Sequence, residues 1–135
     1  MTEPARGDGG REIVTAPSAP PAVGPYSHAV RAGGLLFCSG QIPLEPTTGE
    51  LVKDDIEGQA RRCLENLGAV AEAAGGSLAN AVRCTVYLTD MSDFARVNEV
   101  YGEFFGGDDP PARVAVAAAA LPKGADVEID AIVAL

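Results

Sequence analysis

The chain has 135 residues, 47% of them hydrophobic and 21% charged, and a formal net charge of −9. That size and balance suit one globular domain with a real core. The acidity argues against nucleic acid and anionic membrane as partners, since like charge repels.

Met1 to Arg11 is polar and Gly-rich, without the apolar core of a secretory signal, and reads as a disordered tail. Arg11 to Thr15 reads as a short strand. Ala16 to Pro25 holds prolines at 17, 20, 21 and 25 and must be an extended loop. It leads into Gly24-Pro25-Tyr26-Ser27-His28. The apolar runs Ala29–Ala32 and Leu35–Cys38, split by Gly33-Gly34, form a hairpin signal. The second run continues into Ser39-Gly40-Gln41-Ile42-Pro43, and a turn-rich loop follows around Pro46 to Glu50.

From Asp54 to Ala74, apolar residues from Ile56 through Leu64 and Leu67 to Ala74 recur on one helical stripe. Asp54 or Asp55 can cap the helix, and Gly75-Gly76 ends it. Val82 to Leu88 alternates as a strand with one face on a core. Asp90 to Phe105 reads as a second helix, capped by Asp90 and striped by Phe94, Val97, Tyr101 and Phe104. Ala112–Ala120 and Asp126–Leu135 read as two further strands joined by a turn over Leu121 to Ala125. The spacing therefore predicts a single α+β domain over residues 12–135, with two helices covering one face of a mixed sheet. In the last two strands few positions on either face look designed for water, which points to self-association through the sheet.

The cysteines, Cys38, Cys63 and Cys84, show no CxxC pair and sit among apolar neighbours. They read as small buried hydrophobes in a reducing, cytoplasmic setting. His28 is the sole histidine, so a triad or a multi-histidine metal site has little to build on, and a loop or surface position is its default. No stretch approaches the roughly 18 apolar residues of a membrane span.

Arg113 carries the chemical interest. It stands at the head of a Val/Ala run, where a guanidinium needs an anion: a carboxylate of the protein or of a ligand. Glu128, placed across the expected hairpin, would make a cross-strand ion pair. Tyr26 reads as a core aromatic, Ser39-Gly40 as a strand end, and Asn98 as a solvent-facing or locally bonded side chain.

Gly24-Pro25-Tyr26-Ser27, Phe37 to Pro43, Val100 to Phe105, Pro111-Ala112-Arg113, and Leu121 to Gly124 with Val127 to Ala131 together resemble the Rid family. These are the reactive intermediate deaminases, also called YjgF-like or endoribonuclease L-PSP proteins. The resemblance runs from Gly24 to Val133. It implies a chorismate-mutase-like α+β fold and a homotrimer with ligand clefts between subunits. It also implies hydrolysis of enamine/imine intermediates to 2-keto acids and ammonia, with neither cofactor nor metal. By position, Arg113 would hold the substrate carboxylate and Glu128 would position or activate water. Tyr26, Ser39, Gly40 and Asn98 would line the cleft. Ala115 departs from the family pattern, which has a hydroxyl or thiol there, and His28 stands where glutamine is frequent. The alternative within the family is a non-catalytic trimeric carboxylate-binding or chaperone-like module. Ribonuclease activity is disfavoured by the acidity and by the lack of a histidine pair.

Overall fold

The computed structural model describes residues 9–135. Of the tail expected over residues 1–11, residues 1–8 therefore lie outside the described residues. The elements follow in the order β1 (Glu12–Val14), β2 (Ala29–Ala32), β3 (Leu35–Gln41), α1 (Ile56–Ala73), β4 (Ala81–Leu88), α2 (Phe94–Phe105), β5 (Ala112–Ala117) and β6 (Val127–Ala134).

Local chemistry sets the boundaries. Asp55 caps α1 by accepting from the Gly58 amide at 2.9 Å. Gly75, at φ 81°, turns the chain out of the helix, while the Gly76 amide returns to the Ala71 carbonyl at 2.9 Å. Arg31 on β2 donates to the Ala74 carbonyl at 2.5 Å, placing a cation at the negative end of α1. Asp90 caps a 3-10 turn over Met91–Asp93, so α2 itself starts at Phe94. The buried stripe of α2 is Val97, Val100, Tyr101 and Phe105, rotated slightly from the expected one, with Phe104 at its edge.

One six-stranded sheet runs in the order β1-β2-β3-β6-β4-β5. All neighbours are antiparallel except β4 and β5, which are parallel. A parallel pair needs a crossover, and α2 supplies it. The expected hairpin between the last two strands does not form. β6 instead runs between β3 and β4, and β5 lies at the sheet edge and ends at Ala117. The turn at Leu121 to Ala125 therefore carries the chain across the end of β4 rather than back along β5.

Both helices cover one face. Leu64, Leu67 and Val70 of α1 and Val97 and Val100 of α2 meet Leu36, Cys84, Val86, Leu88, Val127, Ile129 and Val133 of the sheet. Each fully buried aliphatic side chain contributes on the order of 2 kcal/mol of transfer free energy. The helices are also joined by Arg61–Glu103 and Arg96–Glu57 ion pairs, at 2.8 and 2.6 Å. Exposed pairs of this kind add little stability. The opposite face of the sheet is uncovered and bears the exposed side chains of Ile13, Phe37, Val114 and Val116.

Candidate active site

β3 and β6 pair regularly from Leu35 to Cys38. The next partners are Gln41 and Ile129, so two residues on β3, Ser39 and Gly40, face one on β6, Asp130. Ser39 and Gly40 thus form a β-bulge, a feature that bends a strand and re-aims what lies beside it. Glu128 fills the space this creates. A Cβ built on Gly40 would collide with Glu128 Oε2 and stand 3.0 Å from its Cδ. Only glycine lets the carboxylate lie against the β3 backbone. Burial, and then the nearby Asp130 carboxylate, push the Glu128 pKa above the usual carboxylate value. Asp130 is itself fixed by the Tyr87 hydroxyl and the Thr85 amide, at 3.1 and 3.0 Å.

Around Glu128 lies a cleft of about 350 Å³. Its walls include Tyr26, Ser39, Gly40 and Lys123, with Pro20, Pro21 and Val23 from the loop between β1 and β2. Tyr26 is not a core aromatic: it is 48% exposed and faces this cleft. The Ser39 hydroxyl donates to the Ser27 carbonyl at 2.6 Å. Its only proton is committed there, so toward the cleft it offers an acceptor.

Arg113 stands elsewhere. It is opposite Cys84 in the β4–β5 register, whereas Glu128 is opposite Tyr87 in the β4–β6 register. Positions 84 and 87 point to opposite faces of β4. Arg113 therefore lies on the helix face and Glu128 on the uncovered face, with β4 between their strands. The expected Arg113–Glu128 ion pair is absent because the two are neither on adjacent strands nor on one face. Arg113 Nη1 instead donates to Asn98 Oδ1 at 2.6 Å, and its guanidinium lies over the rings of Tyr101 and Phe94, at 4.7 and 5.3 Å. Among the described residues no carboxylate partners it. Asn98 is therefore a local holder of Arg113. Ala115, half-buried, shares that face two residues further along β5 and packs toward the core. The structure thus gathers the expected site residues into two separate groups: Tyr26, Ser39, Gly40 and Glu128 in the cleft, and Arg113, Asn98 and Ala115 at the β5 edge.

His28 lies in the loop before β2, one of its two expected settings, but is buried rather than on the surface. It is 6% exposed, accepts from the Ala16 amide through Nδ1 at 2.8 Å, and lies 2.7 Å from the Pro20 carbonyl through Nε2. The three cysteines are buried, as expected. The buried Tyr101 hydroxyl lacks a hydrogen-bond partner of good geometry and lies beside the Cys84 thiol. Among the described residues no helix is long and apolar enough to cross a membrane.

Comparison with known proteins agrees with this architecture. The model of the endoribonuclease L-PSP family matches residues 16–135. A RutC family protein of Pyrococcus horikoshii is 53% identical over 122 residues, covering 90% of this chain and 96% of the relative. The 2-iminobutanoate/2-iminopropanoate deaminase of Mus musculus is 45% identical, with 90% of each chain covered. The crystal structure of Escherichia coli TdcF with bound serine superposes with a TM-score of 0.86 at 44% identity, covering 92% of this chain and 98% of that one. With matches of this depth along nearly its whole length, the chain belongs to the endoribonuclease L-PSP family, the Rid (YjgF, RutC) proteins.

Proposed function

We propose that this protein hydrolyses reactive enamine/imine intermediates of the 2-aminoacrylate type to 2-keto acids and ammonia. It does so in clefts between the subunits of a homotrimer in the cytoplasm, without a cofactor. The observation that carries the reading is the placement of Arg113 and Glu128 on opposite faces of one sheet. A guanidinium with no carboxylate of its own and a carboxylate beside an open cleft can meet only when two copies associate. The uncovered apolar face and the exposed edge strand β5 supply the surface for that association. The deaminase among the relatives and the serine bound by TdcF support a small amino-acid-derived ligand.

In this reading the substrate carboxylate pairs in a fork with two N–H donors of the Arg113 guanidinium that Asn98 leaves free, a geometry lysine cannot reproduce. Asn98 and the two aromatic rings hold the fork in place before substrate arrives. The Glu128 carboxylate accepts a proton as a water oxygen adds to the C=N carbon. It returns that proton to nitrogen to give a carbinolamine, then carries the hydroxyl proton to the amine, so that the C–N bond breaks, ammonia leaves and the carbonyl forms. Its raised pKa makes it a stronger base than an ordinary carboxylate. Ser39, left with an acceptor, suits the N–H groups of the substrate and the departing ammonia. Positioning supplies most of the rate, since the imine is already electrophilic.

The test couples purified protein to a pyridoxal-phosphate dehydratase acting on serine or threonine and follows 2-keto acid release. Release should accelerate, and Arg113→Ala should lose about 10²-fold in kcat/KM, the scale of a charged, bidentate hydrogen bond. Equal release with and without protein, across several amino-acid precursors, would refute it. A second reading, carboxylate binding without turnover, is favoured only by Ala115, which removes a polar group beside Arg113. Saturable binding of keto acids without acceleration would select it.

A further inference from the structure

The loop between β1 and β2, residues 15–28, forms one wall of the cleft; Ala16 and Ala19 anchor its first part in the core, but little holds the part that follows. Pro21 to Tyr26 are exposed, and within the loop the backbone bonds are Ala19 to Ala16 at 3.2 Å and Tyr26 to Gly24 at 2.8 Å. Four prolines remove amide donors that could have tied it further. Among the described residues, the buried side chain that hydrogen-bonds to this loop is His28. Its Nδ1 accepts from the Ala16 amide, which requires the proton on Nε2, and Nε2 then donates to the Pro20 carbonyl. On the other side the backbone around His28 is fastened to the bulge: the Ser39 amide donates to the His28 carbonyl at 3.0 Å, and the Ser39 hydroxyl to the Ser27 carbonyl. The ring thus ties the loop that carries Pro20, Pro21, Val23 and Tyr26 to the strand that carries Ser39 and Gly40.

We infer that His28 is a positioning residue: its neutral imidazole clamps the loop so that Tyr26 and the proline wall stand at a fixed distance from Glu128. The clamp acts through Ala16 and Pro20 and touches no reacting atom. The inference rests on the deaminase reading for its functional consequence, though not for its structural one. Loss of the clamp lets the wall open, which weakens ligand binding while leaving Glu128 and the bulge in place. KM should therefore respond more than kcat.

The experiment compares wild type with His28→Ala, His28→Gln and His28→Asn. Glutamine offers an acceptor and a donor at a reach near that of the ring, so it can restore both bonds. Asparagine can face Ala16 but falls short of Pro20. Amide hydrogen exchange on the unliganded protein reads the loop, calorimetry with 2-oxobutanoate reads the cleft, and the coupled dehydratase assay separates KM from kcat. For His28→Ala the expected result is exchange in residues 16–26 faster by at least about tenfold, the scale of one to two net hydrogen bonds. Exchange in α1 should not change. Binding of 2-oxobutanoate and KM should both weaken by a similar factor, with kcat within about threefold of wild type. Glutamine should restore all three readouts and asparagine only part of them. Unchanged loop exchange in His28→Ala overturns the clamp, as does faster exchange with unchanged binding and KM. If alanine fails to fold, the glutamine–asparagine pair decides: equal exchange and binding in the two overturns the inference. Should wild type neither bind 2-oxobutanoate nor accelerate release, the deaminase reading fails, and the exchange comparison still upholds or refutes the clamp.

Discussion

Replacing Gly40 with alanine adds one methyl group where Glu128 lies. Gly40 does not occupy the left-handed backbone region, so alanine is allowed there on conformational grounds. The obstacle is the neighbour: the new Cβ would overlap Glu128 Oε2 and crowd Cδ at 3.0 Å and Cγ at 3.3 Å. All three atoms belong to one side chain that ends in a cleft, so Glu128 can rotate away rather than force β3 and β6 apart. The stability cost is then that of an off-rotamer side chain, about 1 kcal/mol. The catalytic cost is larger. A carboxylate moved by about 1 Å or more from its water loses on the order of 10²-fold in rate. Gly40→Ala should thus lower kcat in the coupled dehydratase assay by about that factor, while KM, set mainly by Arg113, stays near wild type. Chemical denaturation should show a native-like fold. Wild-type kcat in the variant would refute the role given to the bulge, and a collapse of stability by several kcal/mol would refute the claim that Glu128 alone yields.

Three further outcomes follow. Burial and Asp130 raise the Glu128 pKa, so its ionised form is disfavoured in the folded state. The stability it contributes is complete below the unfolded carboxylate pKa and is lost as pH rises through the folded one. Glu128→Gln should therefore raise Tm at neutral pH and flatten the decline of stability over that window while abolishing turnover; an unchanged profile would contradict the shift. The acid limb of wild-type activity should likewise lie above the ordinary carboxylate range. Finally, burial pushes the Cys38 thiol up to about 12 and raises Cys63 and Cys84 as well. A thiol-specific chromogenic reagent should leave the native protein unlabelled and modify all three cysteines after denaturation. Rapid labelling of the native state would contradict that burial.

Much of the fold can be read from residue pattern because each element is locally self-consistent. The α1 stripe, its Asp55 cap, its Gly75 exit and the alternation of β4 all follow from helical and strand periods. The partner of β5 does not. Ala112 to Ala117 puts Val114 and Val116 on one face and Ala115 and Ala117, after Arg113, on the other, so periodicity cannot choose between a hairpin with β6 and a crossover onto β4. The β4–α2–β5 order was the available clue, since a helix between strands permits parallel pairing. That misplacement also hid the site's division, because the hairpin would have put Arg113 and Glu128 side by side. The Ser39–Gly40 bulge and the burial of His28 were unreadable for another reason. Both depend on which distant backbone groups need a partner, which no local pattern records.

The central claim is that Arg113 of one copy and Glu128 of another complete a single cleft, and subunit mixing tests it directly. Arg113→Ala and Glu128→Gln are each expected to be inactive alone. Co-refolded in equal amounts, they should regain activity in roughly a quarter of the clefts, by random assortment in a closed symmetric assembly. Mixtures no more active than the separate variants would contradict the shared site.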